Sequence, residues 1–189
     1  YRGYAAQDLC AKCKFEEVAY LILNGELPNK KQLKNFETQE RKERKLSNTL
    51  LADIKKIPKK AHPMDVARTA VSIMGLEDKE TRDNSPKANM RKAMRIFAKT
   101  PVALAAFYRA RKGKKIIPPK KKYSMSENFF HMCFGKVPNK EIVKAFDVSL
   151  ILYAEHSFNV STFTARTITS SLSDIHGAIT GAIASLKGP

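Results

Sequence analysis

An all-α chain is predicted, and three observations carry the prediction. Apolar residues recur at helical spacing along one stretch after another, as in Phe15, Val18, Ala19 and Ile22. No stretch alternates apolar and polar residues as a half-buried strand would, and no segment repeats another. Helix stops and starts punctuate the stretches: Asn24-Gly25, Pro28-Asn29, Pro58, His62-Pro63, Gly135 and Pro138-Asn139. About nine helical segments are expected on this pattern.

Tyr1 to Tyr4 lead into a first helix in which Leu9, Cys10 and Cys13 share a face. The helix of Phe15 to Leu23 ends at Asn24-Gly25, a left-handed stop. Residues 30–57 form a long amphipathic pattern marked by Leu33, Phe36, Leu46, Leu50 and Ile54. Its apolar face vanishes between Glu37 and Lys45, which predicts a solvated middle laced with i,i+4 ion pairs. His62-Pro63 starts a helix with Met64, Ala67, Val71 and Met74 on one stripe, closed by Gly75. The stripe reads as packing. The polar residues 76–89 read as a loop.

Met90 to Arg111 is helical, kinked or interrupted at Pro101. Residues 113–122 form a lysine-dense loop. Its Lys114, Lys115 and Lys120 to Lys122 are expected to be exposed rather than to build a phosphate site, since no adjacent glycine-rich turn or helix start aims amides at them. A short helix covers Ser126 to Phe134. The next, capped by Asn139, runs to His156 through Val148, Leu150, Ile151, Leu152, Tyr153 and Ala154, apolar almost all round and therefore expected to be buried. Ser161 or Thr162 is expected to cap a helix starting near Phe163. The last helix, Ile175 to Leu186, offers Ala178, Gly181, Ala182 and Ala184 for close approach.

The net charge of +17, from 35 Lys and Arg against 18 Asp and Glu, admits an anionic partner, solvated lysines, or balance by a more acidic portion elsewhere. Nucleic-acid binding by residues 30–57 is disfavoured by Glu37, Glu40, Glu43 and Asp53, which repel phosphate. No run of apolar residues is long enough for a membrane span. No secretory signal opens the sequence, though Tyr1 need not be the natural start. Cys10, Cys13 and Cys133 are odd in number, which suggests a reducing compartment. With His131 they form a weak zinc pattern, because Cys10 and Cys13 already read as packed helix; no metal is expected. Asp174 and His176, two apart on a helix, are expected to diverge and are assigned no catalysis.

Tyr1-Arg2-Gly3-Tyr4 with FEEVAYLILNGELP, then HPMDV at His62, then AEHSFNVSTFTAR and SLSDIHGAITGAIASLKGP, together resemble the citrate synthase family along essentially the whole chain. The spellings AHPMDV and AEHSFN resemble its 2-methylcitrate branch most. The resemblance implies that residues 1–189 are the N-terminal part of a large helical domain, cut before the small domain. It implies a condensation of propionyl-CoA with oxaloacetate followed by thioester hydrolysis, with acetyl-CoA as the alternative acyl donor. A non-enzymatic basic helical module that binds nucleic acid is the reading from another class. Coenzyme A enters as a thioester substrate, with no bound cofactor.

A histidine closing an apolar helix points first to a structural side chain; the resemblance instead implies that His156 contacts oxaloacetate, with Asn159. It also implies that the Ser161 hydroxyl backs a catalytic histidine. The catalytic histidines, the aspartate base and the arginine clamps are expected just after Pro189, and none within this chain. A homodimer is implied, through helices near Met64–Met74 and Ile175–Leu186, in the cytoplasm or, in a eukaryote, the mitochondrial matrix.

Overall fold

The computed structural model describes residues 1–188 and, among them, ten α-helices and no strand. The closing Gly-Pro ends at Pro189, outside the described residues. α1 (Ala6–Lys12) and α2 (Phe15–Asn24) part at Cys13, and α2 stops at Gly25, whose φ of 96° is open to glycine. α3 (Lys30–Glu43) starts in a reciprocal cap between Asn29 and Gln32. α4 (Asn48–Lys56) is capped by Ser47, and α5 (Pro63–Glu77) by His62, whose Nδ1 accepts from the Met64 amide at 3.2 Å. Ser85 caps α6 (Pro86–Arg111), and Ser124 with Glu127 caps α7 (Met125–Phe134). α8 (Lys140–Tyr153), α9 (Val160–Ser170) and α10 (Ile175–Ser185) start from Asn139, Asn159 and Asp174, whose side chains accept the orphan amides of the first turn.

The long pattern of residues 30–57 breaks into α3 and α4, and its middle is not simply solvated. Glu40 and Arg44 are each 1% exposed. Arg44 Nε and Nη2 bond the Glu40 carboxylate at 2.7 and 2.6 Å, and Nη1 donates to the Lys120 and Tyr123 carbonyls at 3.1 and 2.9 Å. The i,i+4 pair is as expected; residues 120–123, folding over it, remove it from water. α5 runs past Gly75 to Glu77 because Gly75 is a contact point rather than a stop. A Cβ there would lie 2.8 Å from the Cβ of His176. α6 begins at Pro86, so the expected loop shortens to residues 78–85. Pro101 sits inside an unbroken α6, leaving the Phe97 carbonyl without its usual amide partner.

Two corrections fall on the approach to the site. The apolar run is buried only on one side: Ile151 is sealed, but Leu152 is 53% and Tyr153 80% exposed. α8 also stops at Tyr153, so Glu155 and His156 lie beyond it in a turn.

The main core joins α4, α5, α6 and α7 through Leu50, Ile54, Val66, Phe107 and Met132. A second cluster gathers Leu9, Val18, Leu21 and Ile151 from α1, α2 and α8. Between these helices the carboxylates serve as crossed caps. Glu16 of α2 accepts the first amide of α7 (Met125, 2.8 Å), and Asp147 of α8 accepts the first amide of α2 (Phe15, 3.0 Å). Burial pushes the Glu16 carboxyl up, against the pull of the Met125 amide and its own.

Candidate functional site: the turn between α8 and α9

The last turn of α8 ends in carbonyls with spare accepting capacity, and Tyr1 meets two of them, one of which (Ile151) also takes the Ala154 amide at 3.2 Å. Its hydroxyl donates towards the Ile151 and Leu152 carbonyls at 2.9 and 3.0 Å. Burial, with Cys10 and Glu155 near, pushes this phenol up, so it remains a donor. Beyond Ala154 the chain turns sharply. Glu155 accepts the Ser157 amide, and Ser157 takes the left-handed φ of 48° that only a tight turn requires of a non-glycine residue.

Asn159 then starts α9, and its Oδ1 gathers three donors: the Thr162 amide at 2.9 Å, the Thr162 hydroxyl at 3.2 Å and the Ser161 hydroxyl at 2.5 Å. Asn159 is therefore the cap, in place of Ser161 or Thr162, and the helix starts at Val160. The structure brings Asn159 and Ser161 together. No hydrogen bond joins His156 to either; it is exposed, and no bond to its ring occurs among the described residues. A cleft of about 550 Å³ runs along α9, lined by Asn159, Thr162, Phe163, Arg166 and Ser170 among others. Neither His156 nor Ser161 lines it. The sequence reading passed over Arg166, though its spacing of two helical turns from Asn159 places both on one face.

Asp174 and His176 do not diverge as expected. Asp174 is the cap of α10 rather than part of it, so its side chain turns back: Oδ1 accepts the His176 and Gly177 amides at 2.8 and 3.0 Å and lies 3.5 Å from His176 Nδ1. Across the ring, Nε2 lies 3.5 Å from Asp78 Oδ2. Asp78 is in turn held by Arg95 at 2.9 and 3.0 Å, and Arg95 reaches Glu80 at 2.7 Å, which Arg91 also binds. These two arginines hold the Glu80 carboxyl down at about 2. Burial lowers the His176 pKa, outweighing the attraction of Asp78 and Asp174. The network fastens α10 to α5 and α6; it offers a joint rather than a reaction site.

Cys133 packs in the main core, and burial pushes its thiol up to about 11. Cys10 and Cys13 belong to the other cluster, and no group of three metal-binding side chains occurs among the described residues.

The family described as "Citrate synthase, C-terminal domain" matches residues 1–189. The chain belongs to the citrate synthase family. A citrate synthase of Mycolicibacterium smegmatis is 49% identical over 188 residues, covering 100% of this chain and 50% of that protein. A 2-methylcitrate synthase of Mycobacterium tuberculosis is likewise 49% identical over 188 residues, covering 100% of this chain and 47% of the relative. The crystal structure of citrate synthase from Pyrobaculum aerophilum superposes with a TM-score of 0.95 at 33% identity, over 100% of this chain and 49% of that one. The Thermoplasma acidophilum citrate synthase, solved as a ternary complex with carboxymethyl coenzyme A and oxaloacetate, gives a TM-score of 0.94 at 28% identity, over 100% of this chain and 50% of that one. The chain thus spans about half the length of the relatives it matches, and its all-helical fold is that of the solved citrate synthases.

Proposed function

We propose that this chain is the keto-acid-binding part of a 2-methylcitrate synthase, the N-terminal portion of its large domain. The observation that carries the reading is likeness over the whole chain, at 49% identity, to a 2-methylcitrate synthase. The fold of a citrate synthase solved with oxaloacetate and a coenzyme A derivative supports it. In this reaction a base removes a proton α to the propionyl thioester carbonyl. The resulting carbanion attacks the keto carbon of oxaloacetate, whose oxygen becomes a hydroxyl, and water then cleaves the thioester to free coenzyme A. The base and the donors that stabilise the enolate are proposed to lie past Pro189.

This chain's share is to hold and polarise the keto acid. His156, exposed and free of bonds to the described residues, has its ring N–H available to donate to oxaloacetate, and Asn159 assists. The Ser161 proton is directed at Asn159, which leaves the hydroxyl lone pairs to accept from a catalytic histidine N–H and so fix its tautomer. A homodimer is proposed through α5 and α10, where Leu76 and Leu186, at the C-terminal end of each helix, are 86% and 52% exposed. The proposed compartment is the cytoplasm, or the mitochondrial matrix in a eukaryote.

The second reading, a citrate synthase acting on acetyl-CoA, is favoured by a relative of that name at the same 49% identity. Steady-state kinetics of the complete subunit with propionyl-CoA and acetyl-CoA separate the two by their kcat/KM ratio. In the same assay His156→Ala should raise the KM for oxaloacetate and lower kcat, with an unchanged melting temperature. Unaltered kinetics in that variant would remove His156 from the site.

A further inference from the structure

We propose that the cleft between α4 and the strap of residues 112–120 binds a free aliphatic carboxylate, chain inward and head group outward. The cleft holds about 550 Å³, within the usual range for small-molecule sites. Its walls include the apolar side chains of Leu51, Val102 and Ile117, and four lysines also line it: Lys45, Lys55, Lys114 and Lys115. No carboxylate lines it, and none of the four lysines has an ion-pair partner among the described residues. An apolar trough edged by uncompensated ammonium groups is complementary to a molecule with one anionic end and a hydrocarbon body.

The trough is built rather than collapsed. Arg109 Nε donates to the Lys115 carbonyl at 2.8 Å, and the Lys114 amide donates to the Arg109 carbonyl at 2.9 Å. Further along, Arg44 grips the Lys120 carbonyl at 3.1 Å. The strap is therefore fastened at both ends, and it brings Lys114 and Lys115 to the same cleft as Asn48, the first residue of α4. That neighbour, which sequence order hides, adds the positive end of a helix dipole to the lysine charges. Affinity then divides simply. The head group is held by side-chain charge, and the chain by burial.

The test is calorimetric titration of decanoate, dodecanoate and dodecanol into the complete subunit, below the concentration at which each self-associates, with phosphatidylglycerol vesicles as a separate arm. Two added methylenes should tighten binding about tenfold, and dodecanol should bind at least tenfold more weakly than dodecanoate. Lys114→Glu with Lys115→Glu should weaken dodecanoate at least tenfold at unchanged melting temperature, since both side chains are exposed. If that variant folds poorly, Lys45→Glu with Lys55→Glu, just before α4 and on it, makes the same prediction. No binding, equal binding of the alcohol, indifference to the lysines, or binding to vesicles alone would each overturn the proposal. The readout is binding, so it stands or falls apart from the proposed synthase activity.

Discussion

Arg44 carries a charge almost wholly removed from water, tolerable only because Glu40 and two carbonyls meet its guanidinium. Arg44→Ala leaves Glu40 buried without a partner, and should cost about 3–5 kcal/mol in urea denaturation. Glu40→Leu with Arg44→Met should cost well under the sum of the single changes, because no charge is then stranded. The pair was visible as Glu40 and Arg44 one turn apart. Its burial was not, because the covering carbonyls come from 76 and 79 residues downstream. His176 is the residue at which pH should act. Its folded-state pKa is lowered, so the folded chain binds fewer protons than the unfolded chain below the ordinary value of 6.5. The groups facing the ring are Asp78, Asp174, Lys92 and Arg95. The contribution is complete above about pH 6.5 and is lost as pH falls through the lowered value. Thermal melts from pH 7.5 to 5 should show that decline, and His176→Gln should flatten it; an unchanged profile in the variant would place the titration elsewhere.

The contacts of α10 depend on two glycines that behave differently. At Gly75 an added Cβ would meet the Cβ of His176 at 2.8 Å and its Cγ at 3.1 Å, atoms close to the α10 backbone that have little room to turn aside. At Gly181 it would meet the Cδ1 of Ile168 at 2.2 Å, the free end of a side chain that can adopt another rotamer. Alanine gains about 1 kcal/mol of helix propensity at either position. Gly75→Ala should nonetheless lose about 1–3 kcal/mol to overpacking, while Gly181→Ala should stay within about 1 kcal/mol of neutral; guanidinium denaturation of both variants checks the contrast. Helix existence was readable almost throughout, since periodicity and caps such as Asn29 and Asn139 act within a few residues. Ends set by partners were not. Gly75 looks like a stop until His176 is seen lying on it, and Pro101 looks like a break until the core holds α6 straight through it.

Across the molecule, exposed apolar area collects in the last forty residues or so. Phe158, Phe163 and Leu172 are 101%, 71% and 83% exposed, and Tyr153 80%. A chain that spans half of its relatives and shows this much apolar surface should bind a hydrophobic dye and self-associate on a sizing column. The complete subunit should do neither to the same extent, and the chain alone should give no measurable condensation. Dye binding equal in both would argue that this surface is free in the whole protein. The motif that carries the proposed site residues His156, Asn159 and Ser161 was legible because it lies within six residues, though their roles come from the family resemblance. Their arrangement was less so: the cap falls on Asn159 because the helix starts one residue after it, a choice that Ser161 and Thr162 could equally have claimed by type.

The bond from Tyr1 to the end of α8 crosses 150 residues of sequence. Such a closure is entropically among the most demanding a chain of this length can make, and contacts of that separation form late and slow folding. The turn that carries His156 is therefore tied to a residue far away in sequence. Tyr1→Phe removes that bond, so a change 150 residues away in sequence acts on the turn that carries His156.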